Sequence, residues 1–266
     1  MSNEPEPGKE LRISAKALGM AREGFCPRCF WLRLHAQRMP YQVFPAVFSL
    51  IDSYVKRETS AAFSRGGRAP ALLGELGLKV AGCEKAPQAS RFRVRDEASG
   101  VTLTGTPDAV FRLHDGSRVI ADYKTSRSFD RPGGLSRVYE VQLNAYAYIA
   151  QHGRHLPGVS ALWLVYIYPD YPGAGEQQIE EPCAQPRQPD EPAAQTNPPL
   201  PPPEFRMRFS SRVVPVALQP EIITPLLEKA QELWQMPAPP PGNPGCIDCQ
   251  ALGALMSLLH DGERLA

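Results

Sequence analysis

The sequence has no apolar run long enough to cross a bilayer. Its longest, Ala161 to Tyr168, falls far short of the roughly 20 residues that a membrane-spanning helix requires. No export signal is expected either, because Met1 to Glu10 is polar and mixed in charge, with no apolar core. The expectation is a soluble, cytoplasmic protein. A dominant charge of one sign is also missing: the formal net charge is +1, which excludes a histone-like mode of binding and leaves room only for local basic surface. Such surface is found early, where Arg22, Arg28, Arg33, Arg38, Lys56, Arg57, Arg65 and Arg68 outnumber Glu23, Asp52 and Glu58. A phosphate backbone could dock there, or the residues simply keep helical faces wet. No internal repeat is visible. The 266 residues suffice for one substantial core with helical additions.

What is there falls into segments of different period. Ile13 to Ala21 reads as a short helix with Ser14 as cap, and a second helical stretch follows through Phe30, Trp31, Leu32 and Leu34. From Pro45 to Ser64 the spacing of Val47, Leu50, Ile51, Tyr54 and Val55 predicts an amphipathic helix packed on a sheet. The period then shortens. Leu78–Val80, Phe92–Arg95, Val101–Thr104, Ala109–Leu113 and Arg118–Tyr123 are β-rich runs, the last two joined by the hairpin signal His114-Asp115-Gly116-Ser117. Ser136 to Gln151 returns to helical spacing, and Ala161 to Tyr168 reads as a buried strand. Phe205 to Leu218 gives two further β-like runs and Glu221 to Trp234 a helix. The order suits an α/β (α+β) fold with a mixed central β-sheet flanked by helices. Four parts are expected: an N-terminal helical segment (1–44), a core (45–171), a proline-rich insertion looping out between two strands (172–203), and C-terminal strands and helices (204–266).

The chemistry concentrates where two strands adjoin. Asp122-Tyr123-Lys124 closes the run Val119-Ile120-Ala121, and Gly105-Thr106-Pro107-Asp108 precedes the neighbouring strand across the hairpin. Side chains two apart on a strand share a face, so Asp122 and Lys124 project together while Tyr123 offers its backbone carbonyl. Two carboxylates, a carbonyl and water form the oxygen-rich set that Mg²⁺ or Mn²⁺ prefers. The pattern points to metal-assisted phosphodiester hydrolysis, with Lys124 as the cation that positions water or answers developing negative charge. The plain alternative is a turn cap at Asp108 and an exposed ion pair at Asp122 and Lys124.

These residues resemble the PD-(D/E)XK nuclease superfamily, and within it the RecB-like branch that includes CRISPR-associated RecB-type exonucleases and the AddB nuclease domain. Gly105-Thr106-Pro107-Asp108 is similar to the branch's Gly-x-x-Asp element, Asp122-Tyr123-Lys124 to its Asp-x-Lys element, and Gln142-Leu143-Asn144-Ala145-Tyr146 to its Gln-x-x-x-Tyr signature. The resemblance implies a restriction-endonuclease-like sheet and a metal-dependent nuclease acting on single-stranded DNA or duplex ends. DNA is then the partner, together with proteins of a repair or defence complex, and Gln142 and Tyr146 approach the metal site or the DNA. A non-catalytic nucleic-acid-binding module on the same scaffold is the other reading. The branch commonly carries a further ligand, a histidine, on the helix before the sheet. Residues 45–64 contain none, and Asp52 is the substitute, with Glu58 in reserve.

Cys26-Pro27-Arg28-Cys29 and Cys246-Ile247-Asp248-Cys249 form two Cys-x-x-Cys pairs near opposite ends of the chain. By number, four thiolates suit Zn²⁺ or a [4Fe–4S] cluster equally. The resemblance implies the iron–sulfur cluster, as a structural tie between the two ends. Phe25, Phe30 and Trp31 are expected to wall it off from water. Cys83 and Cys183 have no partner at ligand spacing.

Overall fold

The computed structural model describes residues 10–36, 45–66, 69–126, 135–153, 155–170 and 208–263. Along the chain run β1 (Arg12–Ser14), α1 (Ala15–Leu18), α2 (Pro27–His35), α3 (Ala46–Gly66), β2 (Val80–Glu84), β3 (Arg93–Arg95), β4 (Thr102–Thr104), β5 (Ala109–Leu113) and β6 (Arg118–Thr125). They are followed by α4 (Leu135–His152), β7 (Val159–Pro169), β8 (Phe209–Val216), α5 (Ile223–Gln235) and α6 (Ile247–Glu263). Short 3₁₀ turns at Gly19–Ala21, Ala71–Lys79 and Pro220–Ile222 join some of them.

The main sheet has the order β2-β5-β6-β7-β8, antiparallel except for the parallel pair β6 and β7. The crossover between those two strands is α4, as a parallel pair requires. Strand alternation divides β6 between two cores. Val119, Ala121 and Tyr123 face a cluster with Val55 of α3, Phe111 and Trp163. Ile120 points the other way, into the larger cluster built around α4 with Leu143, Tyr146 and Ile149. Asp122 and Lys124 share the side of Ile120 and so lie under α4.

Two local details match the sequence signals. Ser14 caps α1 by accepting from Ala17 N–H at 3.2 Å. In the β5–β6 hairpin, Asp115 Oδ1 accepts from Ser117 N–H at 2.8 Å while Gly116 adopts φ +84°, a value that favours glycine.

Several expectations are corrected. Ile13, expected to open the first helix, lies instead in the strand Arg12–Ser14, which pairs in parallel with β4. β1, β4 and β3 form a separate three-stranded sheet, so the β-rich runs divide between two sheets. Leu78 and Lys79 close a 3₁₀ segment, with the strand beginning at Val80. Within Phe205–Leu218 there is a single strand, and residues 205–207 lie outside the described residues. α6 carries no sequence expectation. Val47, Leu50 and Tyr54 of α3 are exposed, so that helix packs mainly through Ile51, Val55 and Phe63. Pro169 pairs with Phe209, which makes the segment between them a connection of adjacent strands; the proline-rich stretch 172–203, with Cys183, lies outside the described residues.

α4 is buried from Val141 to Ala150, including two amides, Gln142 and Asn144. Asn144 ties the helix to the chain entering α5. Its Nδ2 donates to Ala217 O at 3.1 Å, and its Oδ1 accepts from Gln219 N–H at 2.7 Å. Truncation would strand both backbone groups. Asn144→Ala is therefore expected to lower unfolding free energy by about 2 kcal/mol in urea titration, whereas a loss below about 0.5 kcal/mol would be that of an ordinary surface change and would contradict this role.

Candidate functional site

The two acids meet because a ladder stops. β5 and β6 pair from Arg112↔Arg118 to Ala109↔Ala121. Beyond that stands Pro107, which has no N–H to continue the pattern. The Asp108 carboxylate turns across instead, and its Oδ2 accepts from Tyr123 N–H at 2.7 Å. One carboxylate oxygen is thereby seated on the β6 backbone between Asp122 and Lys124.

Asp122 lies on that strand with its side chain only 3% exposed. Its Oδ2 forms an ion pair with Lys124 Nζ, and its Oδ1 accepts from Gln142 Nε2 at 2.9 Å. Gln142 Nε2 also donates to Tyr146 Oη at 2.7 Å. Gln142 is thus buried and engaged with the acid rather than solvated. Tyr146 in turn packs on Gly105: a Cβ there would lie 2.5 Å from Tyr146 Cε1, which gives the glycine of the Gly-x-x-Asp element a steric reason. Lys124 sits 4.7 Å from the centroid of the Tyr139 ring, a cation–π contact that helps hold it over the carboxylate. Tyr123 turns its side chain to the opposite face, where Oη donates to Thr59 Oγ1 at 3.2 Å, leaving its main chain at the site.

From the other face comes α3. Lys56 Nζ lies 2.7 Å from Asp108 Oδ1 and 2.8 Å from Asp52 Oδ2, so one ammonium bridges the two carboxylates. The pairing of Asp52 and Lys56 follows from their i,i+4 spacing, a signal present in the sequence that could have singled Lys56 out. Glu58 is turned elsewhere and pairs with Arg65 at 3.1 Å. Part of the early basic excess is likewise engaged: Arg22 pairs with Glu140 at 2.8 Å, and Arg38 and Arg68 lie outside the described residues.

The electrostatics follow from burial. Asp122 is pushed up to about 6 by desolvation, with Lys124 pulling against this and the charge of Asp108 adding to it. Desolvation acts to lower the Lys56 ammonium, but its bonds to Asp108 and Asp52 outweigh that and raise it overall. The Tyr146 phenol is raised by burial and by the Asp122 charge. Three carboxylates against two ammonium groups leave the cluster anionic, and Gln142 Oε1 is buried with no donor among the described residues. Hard oxygen donors with ammonium groups as stand-in cations suit Mg²⁺ or Mn²⁺.

The four cysteines also converge. Their sulfurs all lie within 4.8 Å of one another, brought together from the starts of α2 and α6. Trp31 Nε1 donates to Met236 O at 3.1 Å, tying α2 to the end of α5 beside them. Of the expected apolar wall, Phe30 is buried and Phe25 is partly exposed. The Cys26 thiol is lowered to about 6: burial acts to raise it, and the N–H groups of Cys29 and Asn243 with the neighbouring thiols prevail. The Cys29 thiol is raised, first by burial.

A raised folded-state carboxylate means that the protonated form stabilises the fold, so this contribution is full below the unfolded value near 4 and is lost as pH rises through about 6. In chelator-treated protein, the stability of the native chain minus that of Asp122→Asn is expected to fall by on the order of 3 kcal/mol across that window. Thermal melts at stepped pH measure it. A flat difference would mean that Asp122 is not held in a desolvated, proton-attracting position.

Among solved structures, one titled "Crystal structure of SSO0001" is similar over 85% of this chain and 77% of its own, at 15% sequence identity and a TM-score of 0.40. No curated protein matches significantly. A family model described as the PD-(D/E)XK nuclease superfamily matches residues 26–251. That span reaches from the first cysteine pair, through the acids of β5 and β6 and the amide of α4, to the second pair, and the chain belongs to the PD-(D/E)XK nuclease superfamily.

Proposed function

We propose that this chain is a divalent-metal-dependent DNA nuclease of the RecB-like branch, acting on single-stranded DNA or duplex ends. The observation that carries the reading is the seating of Asp108 on the backbone of Tyr123, beside an Asp122 that is held by Lys124 and Gln142. Asp108, Asp122 and the Tyr123 carbonyl would hold Mg²⁺ or Mn²⁺, with Asp52 as a further carboxylate reached through Lys56. When bound, the ion polarises the scissile phosphate and lowers the pKa of water.

The chain's own groups do the rest. Gln142, braced by Tyr146 and Gly105, fixes the rotamer of Asp122. Lys124 holds an ammonium in a partly dry setting, where it can orient an attacking water and oppose the charge that grows on the phosphate. Lys56 bridges Asp52 and Asp108 and offsets one of their two charges before any substrate arrives. The DNA-binding surface is drawn from the early arginines that are not already paired with acids.

One observation favours a second reading, a nucleic-acid-binding module without turnover: on α3, where the branch commonly has histidine, Lys56 bridges the two acids that would take a metal. Two variants decide between them. Lys124→Ala is expected to reduce Mn²⁺-dependent cleavage of labelled single-stranded and blunt duplex DNA by at least about 100-fold while keeping its melting temperature; native protein that binds DNA but cleaves none with Mg²⁺ or Mn²⁺ would establish the module. Lys56→Met removes the internal counter-ion, and calorimetric titration is expected to show Mn²⁺ binding tightened by about tenfold, or about 1.4 kcal/mol. Unchanged affinity would show that Lys56 does not compete for the acids.

A further inference from the structure

The geometry points to a single Zn²⁺ ion, rather than an iron–sulfur cluster, at the four cysteines. Cys26 Sγ lies 3.5 Å from Cys249 Sγ, Cys29 Sγ lies 3.6 Å from Cys246 Sγ and 3.5 Å from Cys249 Sγ, and no pair of the four exceeds 4.8 Å. A tetrahedral ion with zinc–sulfur bonds of about 2.3 Å sets its thiolates about 3.8 Å apart. In a four-iron cluster each thiolate sits on a different iron, so the sulfur tetrahedron is wider by the whole iron–iron separation, with an edge of roughly 6 Å. The sulfurs here enclose room for one ion and none for a cube of irons and sulfides.

The backbone closes the same space. A Cβ on Gly242 would come within 2.9 Å of Cys249 Sγ and 3.5 Å of Cys26 Sγ, so the chain already touches the sulfurs from outside. Asn243 N–H donates to Cys26 Sγ at 3.3 Å. Both pairs share one layout. The carbonyls of Cys26 and Cys246 accept the first helical bonds, from Phe30 and Gln250 at 3.0 and 3.1 Å, which makes each the cap residue of its helix and its partner the third residue inside. Two helix N-termini therefore direct their positive ends at the thiolates. Four sulfur ligands with no open position describe a structural site, not a catalytic one. The sulfurs are separate thiols and stand well beyond a disulfide bond of about 2.0 Å.

The role follows from what α6 touches. That helix leans on α2 beside the cysteines and presents Ile247, Leu255, Met256 and Leu258 to solvent, so the ion would be its main anchor to the fold. None of this depends on whether the chain cleaves DNA.

The test uses the full chain purified without oxygen, so that an iron–sulfur cluster would survive. Expected are about one zinc per chain, no inorganic sulfide, no visible colour, and an X-ray absorption spectrum with a single sulfur shell at about 2.3 Å and no metal–metal scattering. Chelation of that zinc is expected to speed proteolysis within 237–246 at least tenfold. A brown protein with inorganic sulfide, one iron in place of zinc, or a metal-free chain with its cysteines oxidised would each overturn the assignment.

Discussion

A carboxylate buried at the end of a central strand has to be answered by positive charge, and the surroundings of Asp122 are organised by that requirement. Left alone in a poorly solvated setting it would hold its proton, and it does rise to about 6. Lys124 from the same strand face answers one oxygen and the Gln142 amide the other. Gln142 can do this only because Tyr146 fixes its amide, and Tyr146 lies where it does only because position 105 has no side chain. A thread of contacts therefore runs from β4's exit loop through α4 to the acid. Asp108 extends the cluster from the neighbouring strand and Lys56 closes it from the opposite layer.

The parallel pairing of β6 with β7 makes this arrangement durable. It places β6 in the interior of the sheet, with α4 crossing one face and α3 on the other. Every polar group at the site is carried by a regular element or by the short turn before β5. Such scaffolds hold side chains more tightly than loops do. The cysteine cluster lies outside this core, where the starts of α2 and α6, far apart in sequence, come together.

Much of the site was legible because it rests on short periods. Alternation along β6 is enough to put Asp122 and Lys124 on one face, and a four-residue spacing puts Gln142 and Tyr146 on one side of α4. The hairpin signal at 114–117 brings Asp108 and Asp122 to adjoining strands. Lys56 was not legible as a member of the site, since its place depends on α3 crossing the opposite face of the sheet, which no local pattern encodes. Only its spacing from Asp52 hinted at it. The same limit explains the strand at Arg12–Ser14: three residues with a good helix cap become β-structure through pairing with a partner about ninety residues away. The cysteine spacing announced a four-sulfur site, but the identity of its ion turns on sulfur–sulfur distances that spacing does not contain.

The central claim is that Asp108 and Asp122, though carried on different strands, act as one divalent-metal site. Mn²⁺ titration of the native chain against Asp108→Asn and Asp122→Asn, followed by electron paramagnetic resonance of the free ion, tests this without reference to any substrate. The account predicts that either substitution weakens the same binding event by at least about tenfold, which is about 1.4 kcal/mol, with both variants folded. Native-like Mn²⁺ affinity in either folded variant would contradict it.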